Sequence, residues 1–341
     1  MLPKEQILEI RNYLKKSENP LFLYDDDPDG MSSYLLLKKY IDRGMGAVVK
    51  AEPVVSEKYL RKVKEYSPDY VFILDIPMVD QDFIDKVNVP IIWLDHHPPV
   101  IRKGVHYYNP MLNEPKDNRP TTYYAYKIAE EQNTWIAAVG TFGDWHFPDF
   151  TDKIKKLYPG LIPDGLTKPE QVLFNSKLGE LIQIISLLLK LSTTQINLSS
   201  KILLNIENPF EILNESTAKG KYIYRKTKKL VKRYKEVMKE MPKSLDGNLL
   251  FIKHPKTKNA FTSELSNELC YRTQKIIMIA REDRGRMKIS MRSPKKNIQK
   301  VVKEALIGLS GYGGGHELAC GANISEKDFP EFLLRFKKLI K

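Results

Sequence analysis

Short apolar runs alternate with amphipathic stretches along the first hundred residues of the chain. The runs at residues 21–24 (LFLY), 71–74 (VFIL) and 91–94 (IIWL) show no regular polar alternation, and 47–52 (AVVKAE) is a further strand candidate. Runs of this kind are typical of strands that are buried on both faces of a parallel sheet. The intervening stretches MSSYLLLKKYIDR and EKYLRKVKEY have the apolar spacing of helices. The pattern predicts an α/β domain with helices flanking a parallel sheet.

The later part of the chain changes pattern twice. Residues 121–213 are mostly helical, and alternation resumes after the turn sequence SLDGN with strands LLFIK, KIIMIA and MKISMRS, helices TSELSNELC and IQKVVKEAL, and a glycine-rich loop. We predict a first domain at residues 1–190, a helical connector at 191–245 and a smaller α/β domain at 246–341. The fold class is therefore α/β, with the second domain facing the first across a cleft that holds the substrate.

The positive charge is concentrated in the predicted connector. The chain of 341 residues has a formal net charge of +13. Residues 219–243 contain eleven lysines or arginines and two glutamates, which favours a polyanionic partner such as nucleic acid. Tyr222, Tyr224 and Tyr234 could stack on bases there. The competing interpretation is a helix with one apolar face and one solvated basic face.

Other features exclude several protein classes. The two cysteines, Cys270 and Cys320, lie far apart and predict buried core residues in a reducing cytoplasm, not a disulfide framework or a structural zinc site. The N-terminal stretch reads as an amphipathic helix and not as a signal peptide. The longest apolar run, residues 181–191, is too short to span a bilayer. We therefore expect a cytoplasmic protein without a membrane partner.

Acidic side chains follow the candidate strands. The run at residues 21–24 is followed by Asp25, Asp27 and Asp29, the run at 71–74 by Asp75, and the run at 91–94 by Asp95, His96 and His97. A separate apolar stretch, WIAAVGTFG, is followed by Asp144. Because ligands bind beyond the carboxyl ends of parallel strands, these side chains should converge. Carboxylates with imidazole and no thiolate suit Mn²⁺ or Mg²⁺, and their number suits a pair of ions.

Four motifs in a fixed order now support a specific resemblance. DDDPDG, ILD, LDHH and GTFGD resemble the four motifs of the DHH phosphoesterase family. KISMRSP followed by GYGGGHELACGANI resembles the nucleotide-binding part of the DHH-associated C-terminal domain. The resemblance spans nearly the whole chain and is to the RecJ-like branch, which includes short archaeal-type exonucleases and nano-RNases.

The resemblance implies roles for individual residues in the first domain. Asp27 and Asp29 would each bind one ion, and Asp75 would bridge both. His96 and Asp144 complete the implied metal ligands. His97 would lie close to the phosphate, so that Asp75 and His97 are the catalytic candidates of this domain. Many members have a His where this chain has Leu23; either Asp25 replaces it as a ligand or one ion binds more weakly.

The glycine-rich loop is the candidate phosphate site of the second domain. Gly313, Gly314 and Gly315 precede His316, and glycine lets a backbone approach a phosphate closely. The resemblance implies that these residues, together with Arg292 and Ser293, bind the substrate and that His316 is also catalytic. The remaining histidines, His106, His146 and His254, are expected to be surface or packing residues, although His146 lies two residues after Asp144.

The resemblance implies a Mn²⁺-dependent phosphodiesterase that hydrolyses single-stranded DNA or RNA, including short oligonucleotides, from an end to nucleoside 5′-monophosphates. Two alternatives stay open. One is a phosphodiesterase or phosphatase for small substrates: dinucleotides, 3′-phosphoadenosine 5′-phosphate or cyclic dinucleotides. The other is an inert scaffold of the replication machinery, a branch that has lost metal ligands. Replication or repair proteins and a second copy of the chain are further candidate partners.

Overall fold

The structure of the chain is a computed structural model, which describes residues 1–50, 54–240, 247–254, 261–315 and 317–340. The chain forms two compact units, Met1–Val231 and Lys232–Lys341. The boundary falls within a long helix, so the predicted limits of catalytic domain, connector and second domain stay predictions. The predicted cleft also stays a prediction.

A five-stranded parallel sheet lies at the centre of the first unit. The strands of this unit are β1 (Leu21–Asp25), β2 (Met45–Val49), β3 (Val54–Val55), β4 (Val71–Leu74), β5 (Met78–Val79), β6 (Ile91–Leu94) and β7 (His106–Tyr108). The central sheet has the order β2-β1-β4-β6-β7, and every neighbouring pair in it is parallel. β3 and β5 form a separate parallel pair. The predicted parallel sheet is therefore confirmed. The candidate strand at residues 47–52 corresponds to β2, which ends at Val49, and Ala51 and Glu52 lie outside the described residues.

Helices cover both faces of this sheet. They are α1 (Lys4–Lys16), α2 (Pro28–Ile41), α3 (Leu60–Tyr66), α4 (Gln81–Lys86), α5 (Thr121–Ile128), α6 (Thr134–Gly143), α7 (Thr151–Leu157), α8 (Pro169–Asn175), α9 (Lys177–Leu188), α10 (Thr193–Leu203), α11 (Phe210–Leu213) and α12 (Ala218–Glu240). Successive side chains of a strand point to opposite faces. Phe22 and Phe72 pack in a core with α2, α5 and α6, whereas Leu21 and Trp93 pack in a second core with α3 and α4. Burial on both faces explains why the strand sequences lack polar alternation.

A mixed sheet forms the centre of the second unit. Its elements are β8 (Leu249–His254), α13 (Thr262–Thr273), β9 (Ile276–Asp283), β10 (Arg286–Arg292), α14 (Ile298–Ala305), β11 (Gly311–Gly315), β12 (Ala319–Ser325) and α15 (Phe329–Leu339). The order is β11-β12-β10-β9-β8, with β8 and β9 parallel and the other pairs antiparallel. Met278, Met291, Val302 and Phe336 are among the side chains of its core.

The glycine-rich segment is a strand and not the predicted loop. Gly311–Gly315 pairs with β12 in antiparallel register, and Gly315 lies opposite Cys320. A Cβ on Gly313 would lie 2.9 Å from the Cβ of Ala322, so the close approach of these strands needs glycine there. Strand propensity does not reveal such a segment, because pairing with β12 and not side-chain preference holds it in place.

Helix α12 carries the cluster of basic side chains. Lys228, Lys229, Lys232 and Arg233 are exposed, while Ile223 is buried. The helix therefore has the predicted apolar and basic faces.

Among the described residues no helix is long and apolar enough to cross a lipid bilayer.

The predicted base-stacking role of one connector tyrosine is wrong. Tyr234 is buried, and its hydroxyl donates a hydrogen bond to Glu268 at 2.6 Å. Burial raises the pKa of Tyr234, and the neighbouring carboxylate of Glu268 raises it further. The apolar spacing that made this residue part of the helix core also removes its ring from the surface.

Candidate metal centre

The register of the sheet brings three aspartates to one edge. Tyr24 pairs with Leu74, and Leu74 pairs with Leu94. Each of these residues is followed by an aspartate, so Asp25, Asp75 and Asp95 stand in a row at the carboxyl ends of β1, β4 and β6. Two backbone hydrogen bonds continue the sheet past the strand ends, from the amide of Asp75 to Leu94 and from the amide of Asp95 to Tyr108. This is the edge of a parallel sheet at which ligands bind.

The start of α2 presents two further carboxylates. Asp27 is the N-cap residue, and its Oδ1 accepts a hydrogen bond from the amide of Gly30 at 2.8 Å. Gly30 is needed because a Cβ there would lie 2.6 Å from the backbone nitrogen of Asp25. Asp29 is 1% exposed. The tight turn from β1 to α2 therefore sets Asp25 and Asp27 close together.

The N-terminus of α5 fixes the carboxylate of Asp29. Its two oxygens accept hydrogen bonds from the amides of Thr121 at 2.9 Å and Thr122 at 2.7 Å. These amides have no partner within their own helix and carry the positive end of its dipole. The hydroxyl of Thr121 also donates to Oδ1 of Asp75 at 3.1 Å. The sequence motifs did not reveal the two threonines, because they lie about ninety residues away from Asp29 in the chain.

Asp75 occupies a strained position between the other acids. It is 1% exposed and has a φ of +62°, in the left-handed region that non-glycine residues rarely adopt. Strain of this kind persists where the surrounding structure imposes it, and it occurs often at functional sites. The backbone thus aims this carboxylate at its neighbours.

His96 directs one ring nitrogen at three carboxylates. Its Nδ1 lies 3.3 Å from the carbonyl oxygen of Asn118, which can only accept a hydrogen bond, so Nδ1 is the donor and Nε2 is the nitrogen that faces the acids. Nε2 lies 3.4 Å from Asp75, 3.6 Å from Asp144 and 3.8 Å from Asp29. A cation bound among these three oxygens would face a correctly oriented imidazole.

His97 is held by Asp95, a residue that the sequence placed at a strand end without assigning it a role. Its Nδ1 lies 2.8 Å from Oδ1 of the buried Asp95. The other oxygen of Asp95 accepts from Asn109 and Tyr107, each at 3.4 Å, and Asn109 also donates to the carbonyl of His97 at 2.8 Å. The only sequence signal for Asp95 was its place at a strand end in LDHH. Burial lowers the pKa of His97, but the hydrogen bond and charge of Asp95 outweigh it and raise this pKa overall.

All of the predicted metal-binding residues meet at this edge. Three sets of side chains have potential ligand atoms within 4.8 Å of one another: Asp25, Asp27 and Asp75; Asp29, His96 and Asp144; and Asp75, His96 and His97. Leu23, in contrast, is fully buried in the core on one face of the sheet and cannot reach the site. The oxygen of Asp25 is close enough to contribute in its stead.

The carboxylates of the cluster repel one another. Burial, and then the charges of Asp27 and Asp26, raise the pKa of Asp25 to about 8. Burial and neighbouring carboxylates also raise the pKa values of Asp29, Asp75 and Asp144. A bound cation would remove this repulsion. Oxygen and imidazole donors without thiolate fit Mn²⁺ or Mg²⁺, so the side chains present suit the ions that the sequence predicts.

Arg292 and Gly315, two of the predicted substrate-binding residues of the second unit, lie at the same end of its sheet. Arg292 pairs with Ala319, and Gly315 pairs with the next residue of β12, Cys320. The guanidinium of Arg292 donates to Asn267, to Ser290 at 3.3 Å and to the carbonyl of Met291 at 2.8 Å. Burial lowers the pKa of Arg292. The arginine is therefore held in place near the glycine strand.

Ser293 and the glycines complete the described part of this region. The buried Ser293 accepts a hydrogen bond from the amide of Lys296 at 2.8 Å. Gly313 and Gly314 are half-buried, and a Cβ on Gly314 would meet nothing within 4 Å. His316 lies outside the described residues. Its role, like those of its neighbours, stays a prediction.

The histidines and cysteines outside the two candidate sites pack against neighbouring rings or lie in partly or fully buried positions where the structure describes them. The exposed His106 packs against Tyr13, with ring centroids 4.9 Å apart, and the side chain of His254 lies outside the described residues. His146 packs edge-on against Tyr123 at 5.9 Å. Cys320 is buried, and burial raises the pKa of the half-buried Cys270 to about 11. Neither thiol therefore has the environment of a reactive cysteine.

Comparison with known proteins adds a domain match and a fold match. A family model described as the DHHA1 domain matches residues 246–341. No match was found among curated proteins. RecJ from Thermus thermophilus, solved in complex with Mn²⁺, is 16% identical with a TM-score of 0.67 over 99% of this chain and 55% of that one. The chain thus spans about half the length of that relative.

Two further solved structures share this fold. An exonuclease RecJ bound to manganese is 16% identical, with a TM-score of 0.63 over 99% of this chain and 95% of that one. The DHH domain of a member of the S1p family of ribosomal proteins is 15% identical, with a TM-score of 0.69 over 98% of this chain and 89% of that one. The predicted α/β fold and the resemblance to RecJ and DHH-domain proteins are confirmed: the chain has the fold of these structures and carries a DHHA1 domain at residues 246–341.

Proposed function

We propose that the protein is a metal-dependent phosphodiesterase that hydrolyses single-stranded DNA or RNA, including short oligonucleotides, from an end to nucleoside 5′-monophosphates. The observation that carries this proposal is the cluster of carboxylates and His96 at the edge of the parallel sheet. A row of buried acids that repel one another destabilises a protein unless cations occupy the site. The RecJ structures with Mn²⁺ or Mg²⁺ share this fold and support the choice of ion.

Two ions fit the geometry better than one. Asp25 and Asp27 form one set of close ligand atoms with Asp75, and Asp29 and Asp144 form another with His96, whose Nε2 also lies 3.4 Å from Asp75. Asp75 would bridge the two ions, in line with its position in the motif ILD. Asp25 would serve as the ligand that many family members supply from a histidine at the position of Leu23. A metal pair held by these residues would supply a nucleophile at neutral pH and would neutralise charge on the transferring phosphoryl group.

The residues around the ions would orient the substrate. His97, fixed by Asp95 at 2.8 Å, would carry a proton on its ring and donate it towards a phosphate oxygen. Although burial lowers the pKa of His97, the hydrogen bond and charge of Asp95 raise it overall, which favours the protonated ring relative to an unpaired histidine. Thr121 and Thr122 would keep the carboxylates of Asp29 and Asp75 in position, as hydrogen-bonded partners do for metal ligands.

The basic helix and the second unit would bind the rest of the substrate. The exposed Lys228, Lys229, Lys232 and Arg233 of α12 would contact phosphates of a longer single strand. Arg292, Ser293 and the strand of Gly313, Gly314 and Gly315, followed by His316, would hold a phosphate group near the reacting end. Replication or repair proteins and a second copy of the chain are further proposed partners.

The function is tested with one set of substrates and one matched variant. The purified protein is incubated with Mn²⁺ and end-labelled DNA, RNA, a dinucleotide and a cyclic dinucleotide, and products are identified by chromatography. We expect Mn²⁺-dependent release of nucleoside 5′-monophosphates from single strands and none by Asp75→Asn. Turnover of the dinucleotide or cyclic dinucleotide alone would favour the small-substrate alternative. An inactive wild-type protein that binds no Mn²⁺ would favour the scaffold alternative.

A further inference from the structure

A cavity of about 430 Å³ lies beside the candidate metal centre in the first unit. The side chains that line it include Arg119, Tyr123, His146, Phe147, Asp149 and Asp152. Small-molecule pockets of this size commonly hold one ring system between apolar walls and a few polar groups. None of these residues belongs to the cluster of metal-binding candidates.

Two segments connect the cavity to the metal centre. The first segment is residues 118–121, which contains Arg119. The carbonyl oxygen of Asn118 lies 3.3 Å from His96, and the amide of Thr121 donates to Asp29 at 2.9 Å. In the second, His146 follows Asp144 by two residues. Two residues of chain span at most about 7 Å, which is the scale on which a nucleotide separates its phosphate from its base. The cavity is therefore within reach of a nucleotide whose phosphate is at the metal centre.

The walls of the cavity are flat and ordered. The buried ring of Tyr123 meets the ring of His146 edge-on at 5.9 Å. Phe147 packs edge-on against Phe142 at 5.4 Å. The hydroxyl of Tyr123 donates to Asp149 at 3.0 Å, which fixes both side chains. Aromatic walls of this kind favour the face of a ring over an aliphatic or strongly hydrated group.

The charges of the cavity disfavour a second phosphate. The guanidinium of Arg119 forms an ion pair with Asp117 at 2.7 Å, and the amino group of Met1 binds the same carboxylate at 2.6 Å. Asp149 and Asp152 are exposed carboxylates that also line the cavity. Both positive groups are thus already paired, and the remaining charges are negative. The cavity offers hydrogen-bond acceptors and suits an uncharged ring that carries N–H donors.

We propose that this cavity binds the nucleobase of the nucleotide whose phosphate lies at the metal centre. The inference rests on the proposed phosphodiesterase function and adds to it a base-binding site on the first unit. His146 and Phe147, with the buried Tyr123 supporting His146, form the surface against which the base packs, and Asp149 accepts hydrogen bonds from its ring or exocyclic amino group. The enzyme would then distinguish a nucleotide from a phosphodiester without a base.

The first test compares two chromogenic substrates in the presence of Mn²⁺. One is the p-nitrophenyl ester of thymidine 5′-monophosphate, and the other is bis(p-nitrophenyl) phosphate, which has no base. Stacking of one base contributes about 1–3 kcal/mol, so His146→Ala should lower the ratio of the two kcat/KM values by about 5- to 150-fold. His106→Ala, which changes an exposed histidine away from the cavity, is the matched control and should leave the ratio unchanged.

A rival location for the base is the ring of Trp145. This residue follows Asp144, is 40% exposed and has a φ of +58°. If the base stacks on it, Trp145→Ala will lower the ratio and His146→Ala will not. That result would overturn the cavity assignment. An equal loss of kcat/KM on both substrates with His146→Ala would also overturn it, because His146 would then only support Asp144.

A second measurement separates this inference from the proposed function. Calorimetry of the wild-type protein with Mn²⁺ compares the binding of thymidine 5′-monophosphate and ribose 5-phosphate. We expect the nucleotide to bind at least tenfold more tightly and His146→Ala to remove most of that difference. An inactive protein that still shows this preference would contradict the proposed function and support the cavity. Equal affinities, or no binding of either compound, would overturn the cavity assignment whether or not the protein is an enzyme.

Discussion

At the scale of single residues, Asp75 has the greatest consequence for the site. It is buried, has a left-handed backbone and belongs to two sets of potential metal ligands, one with Asp25 and Asp27 and one with the two histidines. Its carboxylate is unfavourable without a cation and essential if two ions are to be bridged. Proteins often keep such unfavourable positions where function needs them, at the expense of stability.

Replacing Asp75 should therefore have opposite effects on activity and on stability. In Asp75→Asn, Mn²⁺-dependent hydrolysis should fall by roughly 10³-fold or more, because both ions lose a ligand. In metal-free buffer the melting temperature should rise by about 2–5 °C, because a buried repulsive charge has been removed. Calorimetric melting with and without Mn²⁺ measures both effects. A wild-type protein that melts at the same temperature with Mn²⁺ as without it would argue against metal binding.

Asp95 acts on the site through His97. Asp95→Asn keeps the size of the side chain but removes the charge that orients and protonates the imidazole. We expect a loss of about 10- to 100-fold in kcat, the usual cost of removing such a supporting partner, with Mn²⁺ affinity close to that of the wild type. Calorimetric titration with Mn²⁺ and steady-state kinetics check the two parts. A large loss of Mn²⁺ affinity would instead make Asp95 part of the metal site.

At the scale of secondary-structure elements, the glycine strand allows two glycines to be compared. A Cβ on Gly313 would meet Ala322 at 2.9 Å, whereas a Cβ on Gly314 would meet nothing within 4 Å. Gly313→Ala should destabilise the second unit by about 1–3 kcal/mol through overpacking. Gly314→Ala should leave stability unchanged and raise KM if a phosphate approaches this backbone. Urea unfolding and kinetics of both variants test this, and a normal KM for Gly314→Ala would remove Gly314 from the substrate site.

The basic face of α12 is a second element with two interpretations. If Lys228 and Lys229 contact phosphates, charge removal in the Lys228→Ala/Lys229→Ala double variant should weaken binding of long single strands more than turnover of a dinucleotide. Each lost contact should lower the slope of log affinity against log salt by about 0.7. The matched control is Lys15→Ala/Lys16→Ala, which changes two exposed lysines of α1. Equal slopes for the two double variants would support the interpretation of α12 as a helix whose basic face is solvated and binds no phosphate.

The elements that the sequence predicted correctly are those whose signal is local. Uninterrupted apolar runs predicted strands β1, β4 and β6, and the acids at their ends gave the positions of Asp25 and Asp75, whereas Asp144 follows helix α6 and was found from its motif. What the sequence could not show depends on contacts distant in the chain: Asp95 supported by Asn109, and the two threonines of α5 that bind Asp29. The glycine strand was missed because its pairing partner, and not its own side chains, makes it a strand.

At the scale of the whole molecule, the two units have different proposed tasks. All of the candidate metal ligands lie in Met1–Val231, and the glycine strand and Arg292 lie in Lys232–Lys341. A substitution in the second unit should therefore spare metal binding and affect only the positioning of the substrate. His316 is the residue of choice for this test, since its proposed role rests on the motif GYGGGHE.

The expected result for His316→Ala is normal Mn²⁺ affinity with a single-turnover rate lowered by about 10²–10³-fold, the usual cost of lost positioning and charge stabilisation. The loss should appear mainly in kcat if the contact tightens in the transition state, and mainly in KM if it is equally strong in the ground state. Calorimetry and rapid-mixing kinetics measure the two quantities on the same protein. Normal Mn²⁺ affinity with a rate within a few-fold of the wild type would confine the chemistry to the first unit. The DHHA1 domain would then contribute to binding of the strand and not to its hydrolysis.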